Sequence, residues 1–224
     1  MKYTAELANA YVEKKAEFNE TDQLLIECLR EVDVKNKAVI DIGCGAGGHA
    51  KLIKQMGASK VVGIDVNERM IALAQSSQGD GSEIDFMVAD GKNLPVESGS
   101  MDVVFTNFVI HYFPSAIEIF QEIGRVLKSK GHVIATFNIT DVEAGFEYLY
   151  NQTMPIRLGK GADAIVVQNL IKSRLEIEQA IKEAGFDVVR EQELDHPNAI
   201  VDDSFPNKTH IHKHAVLLVL QKQS

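Results

Sequence analysis

Residues 39–49 read V-I-D-I-G-C-G-A-G-G-H, an apolar run and an aspartate leading into four glycines within six positions. Glycine at that density after an apolar run marks backbone held close to a ligand. Two patterns fit the same letters. Gly43, Gly45 and Gly48 satisfy the G-x-G-x-x-G of dinucleotide enzymes, while Asp41, Gly43, Gly45 and Gly47 satisfy D-x-G-x-G-x-G. Asp65 closes V-V-G-I-D, where its carboxylate can accept hydrogen bonds from both hydroxyls of a ribose, a group common to both ligand classes. The tail is decided elsewhere. Asp41 suits a cationic amine and is badly placed against a pyrophosphate. In A-D-G-K, Asp90 can accept from an adenine amino group and Gly91 lets backbone come close. Both favour S-adenosylmethionine (SAM) over a nicotinamide dinucleotide. Tyr11-x-x-x-Lys15 copies the catalytic pair of short-chain dehydrogenases, but it precedes the glycine loop instead of following the fourth or fifth strand, and is read as coincidence.

Residues of this kind need a sheet edge to converge on. From Lys37 onward short apolar runs alternate with amphipathic stretches, the pattern of a parallel sheet covered by helices on both faces. Strands are expected at Ala38–Ile42, Lys60–Asp65, Ile84–Val88, Asp102–Thr106 and Gly131–Phe137, with Phe186–Glu193 and His214–Gln221 as a closing antiparallel pair. Helices are expected at His49–Met56, Asn67–Ser77, Ser115–Lys128 and Leu175–Ala184, the third stopped by Lys130-Gly131. A helical region, Thr4–Val32, precedes the first strand, with an N-cap at Thr21 or Asp22. The expected fold is therefore α/β and doubly wound: a mostly parallel seven-stranded sheet with an antiparallel last strand. One domain fills residues 1–224, with an N-terminal helical cap over 1–36 and a lid insertion over 138–173. The glycine loop then lies at the carboxyl edge, where strand order reverses and helix N-terminal amides favour anionic groups.

The bulk numbers narrow the function. A chain of 224 residues holds one sizeable α/β domain but not a nucleotide domain plus a large separate substrate domain. With 23 Lys+Arg against 32 Asp+Glu the net charge is −9, and no basic stripe offsets it, so nucleic acid is not an expected partner. Two cysteines, Cys28 and Cys44, are too few for a disulfide framework or a thiolate zinc site. His210, His212 and His214 alternate as strand residues do and lack the partners of a formed metal site, so no metal is expected. No secretory signal or membrane-length apolar run is seen, and a cytoplasmic protein without a membrane partner is the expectation.

The ordered motifs resemble those of the class I, seven-strand SAM-dependent methyltransferases, especially the small-molecule members. D-I-G-C-G-A-G-G looks like the family's first motif, G-I-D-V-N its second, A-D-G-K-N-L-P its third and D-V-V-F-T-N-F-V-I-H its fourth; L-K-S-K-G-H-V-I-A is similar to the usual L-K-P-G-G before strand five, with Ser129 and Lys130 replacing Pro and Gly. The resemblance implies that Gly43, Gly45 and Gly47 pass under the methionine portion and that Asp41 orients its amine. It also implies that Asp65 holds the ribose, that Val66 and Met70 flank the adenine, and that Asp90 and Gly91 read the adenine edge. The backbone of Asn107 and Phe108 would approach the methionine end, and Tyr3 or Tyr11 would close over the cofactor. The helical spacing of Met70 with Ile71 and Leu73 fits core packing better than adenine contact. His111, four residues after Asn107, is the candidate general base, although the family commonly keeps a histidine there with no catalytic duty.

The activity implied is transfer of a methyl group from SAM, giving S-adenosylhomocysteine, to a small-molecule acceptor by in-line displacement, with alignment and exclusion of water as the enzyme's main tasks. In place of the Asn/Asp-Pro-Pro-aromatic motif of DNA and protein-glutamine N-methylating relatives stands Asn107-Phe108-Val109-Ile110. The alternatives are a non-catalytic SAM-binding sensor or scaffold and, more remotely, an NAD-dependent oxidoreductase. Segments 1–20 and 138–173 hold four of the five tyrosines, Tyr3, Tyr11, Tyr148 and Tyr150, with Phe146, Met154 and Arg157, and are expected to wall the acceptor pocket.

Overall fold

The strands at the centre of the molecule are runs of Val, Ile and Phe with hardly an exposed position, as strands covered on both faces must be. A computed structural model describes residues 20–79, 83–158, 165–194, 199–205 and 208–224. The first strands are β1 (Ala38–Ile42), β2 (Lys60–Asp65), β3 (Ile84–Val88), β4 (Met101–Asn107) and β5 (Leu127–Val142). With β8 (Phe186–Leu194) and β10 (Ile211–Lys222) they form a seven-stranded sheet in the order β3-β2-β1-β4-β5-β10-β8. Pairs among β1 to β5 are parallel; β10 runs antiparallel to both β5 and β8, as expected of the last strand. The strand order reverses between β1 and β4, which sets the ligand crevice at their carboxyl ends.

Helices cover both faces. On one lie α1 (Glu20–Glu31), α2 (Gly48–Gln55) and α3 (Glu68–Ser76), which bury Leu25, Cys28, Leu29, Ala50, Ile53, Ile71 and Ala74 against the sheet. On the other lie α4 (Ala116–Val126) and α5 (Arg174–Glu183), through Ile119, Phe120, Ile123, Ile177 and Ile181. The caps expected from Asn67, Ser115 and Ser173 chemistry are present: Asn67 accepts from the Arg69 and Met70 amides, Ser115 from Glu118 and Ser173 from Glu176. Thr21 and Asp22, expected as N-caps, instead lie buried inside α1.

Two expectations at strand five are corrected. Helix α4 stops at Val126, so Lys128, Ser129 and Lys130 belong to the lead-in of β5, and a register shift between Met101 and Val103 on β4 absorbs the kink at Lys130, whose φ is 62°. Strand β5 also runs past Phe137 to Val142, because β10 pairs with it as far as Ile211↔Val142. The segment read as a lid is thus partly strand. The rest of it forms β6 (Thr153–Leu158) and β7 (Ile165–Leu170), joined by β9 (Ala199–Val201), which comes from beyond 173, into a three-stranded antiparallel sheet in the order β7-β6-β9. This small sheet has its own apolar cluster of Leu149, Met154, Ile156, Val167, Ile171 and Ile211. Tyr148 points to solvent, so the aromatic wall expected there is only partly assembled. Among the described residues no helix is long and apolar enough to cross a membrane.

Candidate functional site at the strand-order switch

The glycine loop leaves β1 at Ile42 and is pinned from below by β2: the amides of Gly43 and Cys44 both donate to the Ile64 carbonyl at 2.8 Å. Asp65 then ties down the loop's crest. Its Oδ2 accepts from the Gly45 amide at 3.0 Å and its Oδ1 from the Asn67 amide at 2.9 Å. Burial raises the Asp65 pKa above the ordinary carboxylate value, and hydrogen bonds from the Asn67, Gly45 and Val66 amides pull against that rise. The residue that sequence reading set aside for a ribose therefore also holds the loop in shape.

The loop glycines answer to different neighbours. Gly47 has φ 81°, and a Cβ there would come within 2.6 Å of the Phe86 ring, so its conformation and the close approach of β3 both require glycine. Gly43 packs on Val109, and Gly91 on Phe113. Gly45, with φ 54°, meets nothing within 4 Å, so its face of the loop looks into open space. Gly47 caps α2 without a side-chain hydrogen bond, leaving the first-turn amides of that helix available to a ligand.

Asp41 is 2% exposed and sits in register between Gly63 and Phe105, directly under the loop. Burial, with the negative fields of Asp41 and Asp65, pushes the Cys44 thiol well above its ordinary range, so this cysteine is an inert packing residue. Both cysteines are free and buried. Beyond β2, Val66 is 64% exposed and offers an apolar face, whereas Met70 is buried at 5% in the helix-sheet packing. The end of β3 is brought alongside by the Ala89 amide, which donates to the Asp65 carbonyl at 3.1 Å. Asp90 is exposed and turns the chain, its Oδ1 accepting from the Lys92 amide at 3.0 Å. The turn chemistry of Asp-Gly is thus present alongside any ligand role.

At the end of β4 the chain makes an uncommon turn: Phe108 takes φ 56°. A non-glycine residue is held there only if its surroundings insist. They do so through Thr136 of β5, whose carbonyl and Oγ1 accept from the Phe108 amide at 2.8 and 3.1 Å, and whose hydroxyl donates to Asn107 Oδ1 at 2.5 Å. His111 follows in a short 3₁₀ turn, 2% exposed, with its Nδ1 accepting from the Asn138 amide at 3.3 Å. An accepting Nδ1 carries no proton, so Nε2 carries it. Tyr3 and Tyr11 lie outside the described residues.

Sequence reading missed the roles of Thr136 and of three other residues that shape this edge. Asp22 of α1 meets His49 of α2, Oδ1 to Nε2 3.0 Å, both side chains buried, which fastens the N-terminal helix to the helix leaving the glycine loop. Lys172, 1% exposed, donates to the Pro114 carbonyl, Asn151 Oδ1 and Glu176 Oε1 at 2.5, 2.8 and 2.7 Å, and so clamps the small sheet, the turn after β4 and α5 together. His212 and His214 do have carboxylate neighbours, with Glu143 3.8 Å from the first and Asp141 3.3 Å and Glu193 2.5 Å from the second. These are imidazole–carboxylate contacts at the far ends of β5, β10 and β8, and among the described residues no group of ligands is arranged to hold a metal.

The glycine crest, the acids ending β1 and β2 and the held turn after β4 all converge on the switch point. A family model described as a methyltransferase domain matches residues 40–135, which spans all of these parts. Residues 40–135 form a methyltransferase domain, with the motif order of the class I SAM-dependent enzymes. The cofactor of this methyltransferase is SAM. It is 30% identical over 113 residues to a malonyl-[acyl-carrier protein] O-methyltransferase of Legionella pneumophila, covering 50% of this chain and 40% of that one. It is 27% identical over 193 residues to a demethylmenaquinone methyltransferase of Lactococcus lactis, covering 79% and 75%. The chain thus matches less than half the length of the first relative. Among solved structures, a Haemonchus contortus phosphoethanolamine N-methyltransferase 2, in complex with phosphomonomethylethanolamine and S-adenosylhomocysteine, superposes with a TM-score of 0.72 at 18% identity over 99% of this methyltransferase and 59% of that chain.

Proposed function

We propose that this methyltransferase transfers the methyl group of SAM to a small-molecule acceptor by in-line displacement. The observation that carries the reading is the Asp65 carboxylate bound to the Gly45 amide, at a position where the glycine loop opens to empty space. When bound, SAM supplies a methyl group already activated on a sulfonium, so no acid or base is compulsory. The chain's part is to bind and align. Asp65 keeps lone pairs for the ribose hydroxyls, Asp41 faces the cationic amine, and Gly43, Gly45 and Gly47 run beneath the methionine portion. Val66 covers one side of the adenine, and Asp90 with Gly91 bounds its edge. Met70 backs that wall from within the core. The strained turn at Asn107 and Phe108, held by Thr136, presents backbone to the methyl end.

His111 acts by position. In the tautomer that lets Nδ1 accept from Asn138, its Nε2 is a donor, which joins the turn after β4 to β5 and does not suit a general base. The insertion, with the small sheet β7-β6-β9, forms the acceptor side, over the carboxyl end of β5. Names of the relatives support a small organic acceptor, whether free or carried. The alternative, a SAM-binding sensor or scaffold, binds the cofactor equally well. Incubation with SAM and a panel of small acceptors, with detection of S-adenosylhomocysteine, separates the two: acceptor-dependent product supports the enzyme, and binding without product across the panel supports the sensor.

A further inference from the structure

Strands β5 and β10 continue beyond the sheet edge, and on one face of this extension the side chains change character. Lower on that face Ile134 opposes Val219 and Thr136 opposes Leu217, inside the core that α1, α2 and α3 cover. At the far end Val142 opposes Ile211, which belongs to the small sheet's own cluster. Between the two apolar regions lie two rungs, Asn138 opposite Ala215 and Thr140 opposite Lys213. Directly opposed residues of an antiparallel pair share a face, so Asn138, Thr140 and Lys213 form one polar belt, and the small Ala215 leaves space beside Asn138.

Every polar atom of a buried belt should be satisfied, and here three are not. Asn138 Oδ1, Thr140 Oγ1 and Lys213 Nζ are all buried with no hydrogen-bond partner among the described residues. Asn138 is 5% and Thr140 1% exposed. Native proteins leave few such atoms, and each one asks for a ligand or a water. The lysine is the most telling. Burial alone lowers the Lys213 pKa, to about 8, and no carboxylate contributes. The comparison within the molecule is direct, since buried Lys172 gives its ammonium three acceptors, while half-buried Lys213, whose Nζ is itself out of contact with solvent, gives its ammonium none. A lone buried cation costs several kcal/mol, roughly, and is kept where a counter-charge arrives from outside.

We propose that this belt is the acceptor's anchoring subsite and that it takes an oxyanion, a carboxylate or a phosphate, on Lys213 Nζ and Thr140 Oγ1. This rests on the methyltransferase reading and deepens it by giving the acceptor a charge and a length. Thr140 lies four residues along the strand from Thr136, the residue that holds Asn107 and Phe108. At a strand rise of about 3.3 Å per residue the anion binds roughly 13 Å from the methyl end. The acceptor is accordingly an elongated organic acid or phosphate ester methylated at the end away from its charge. Asn138, between the two, offers a carbonyl to a hydroxyl or amine of the acceptor's middle.

Calorimetric titration of the full chain with hexanoate, hexyl phosphate and the neutral hexan-1-ol, each with and without saturating S-adenosylhomocysteine, tests this. The expected result is at least tenfold tighter binding of one or both anions than of hexanol, the stronger of the two identifying carboxylate or phosphate. Lys213→Met should remove that preference, and Thr140→Val should reduce it severalfold, both leaving the affinity for S-adenosylhomocysteine unchanged. Equal binding of hexanol and both anions, or an undiminished anion preference in Lys213→Met, would overturn the subsite. A loss of S-adenosylhomocysteine binding in both variants would overturn it too, because the belt would then be serving the fold. Failure of the wild-type chain to bind S-adenosylhomocysteine would strike instead at the methyltransferase reading, while the titrations without it still report on the belt.

Discussion

Replacing Lys213 by Met should make the protein more stable at neutral pH, the reverse of what most substitutions in a core do. Burial takes the Lys213 pKa from 10.5 to about 8. At about 1.4 kcal/mol per unit, that depression is a cost of about 3 kcal/mol for holding the ammonium charged in the folded state. The direction with pH follows from proton counts. Between about 8 and 10.5 the unfolded chain binds the Lys213 proton and the folded chain does not, so wild-type stability gains with rising pH across that window. Below it the cost is paid in full, and above it the cost is gone. Methionine has similar length and no charge, so the variant should exceed wild type by about 3 kcal/mol at pH 7, or about 6–12 °C in Tm for a chain of this size. Urea unfolding of both proteins at pH 7 and pH 10 measures the difference, and titrations common to the two cancel. A variant no more stable than wild type at pH 7, or an advantage that persists undiminished at pH 10, would refute the claim that this ammonium is buried without a counter-charge.

Thermal shift should show stabilisation by SAM and S-adenosylhomocysteine and none by NADH, since only a ligand of the folded state raises Tm; stabilisation by NADH alone would return the glycine loop to the dinucleotide enzymes. Asp65→Ala is expected to weaken SAM binding by about 1–3 kcal/mol in a calorimetric titration, through loss of a charged acceptor and of the loop's tie to Gly45; an unchanged Kd would make Asp65 a bystander. Two glycine variants should part company. Gly47→Ala adds a clash, a Cβ 2.6 Å from Phe86, to the strain of its positive φ and should cost about 2–4 kcal/mol of folding stability, whereas Gly45→Ala meets no neighbour and should cost only the roughly 1–2 kcal/mol of its φ of 54°, with weakened SAM binding. Equal stability losses in the two would refute the Phe86 clash, and unchanged SAM binding in Gly45→Ala would mean that the loop's open face is not a ligand face.

The ordering of chemistry along the chain was legible because it is local. A glycine run after an apolar strand, an acid closing the second strand and an Asp-Gly after the third can each be read within a few residues, and in a parallel sheet those strand ends all fall on one edge. The antiparallel β8–β10 pair was legible for the same reason, as two β-rich runs with no helix pattern between them. The misreadings came where one segment's state is set by a distant partner. Lys128 to Lys130 continue a helical pattern in sequence, yet β4 recruits Leu127 into a ladder and ends α4 early. Residues 138–142 read as the start of a lid, but Ile211 to Ala215, some seventy positions on, pair with them and make them strand.

Sequence alone determined the fold class and the family's motif order, and it nominated the residues proposed to hold the cofactor, because strand periodicity, turn chemistry and the charge of a carboxylate at a strand end are properties of short stretches. Tertiary structure alone decided which glycines serve packing and which faces open space, since a ring from β3 or a valine after β4 sets that clearance. It alone decided the state of the ionisable groups as well. Lys172 and Lys213 are the same letter in the sequence, and what separates a satisfied clamp from a lone cation is the set of carbonyls and carboxylates that folding brings within hydrogen-bond reach of one ammonium and not of the other.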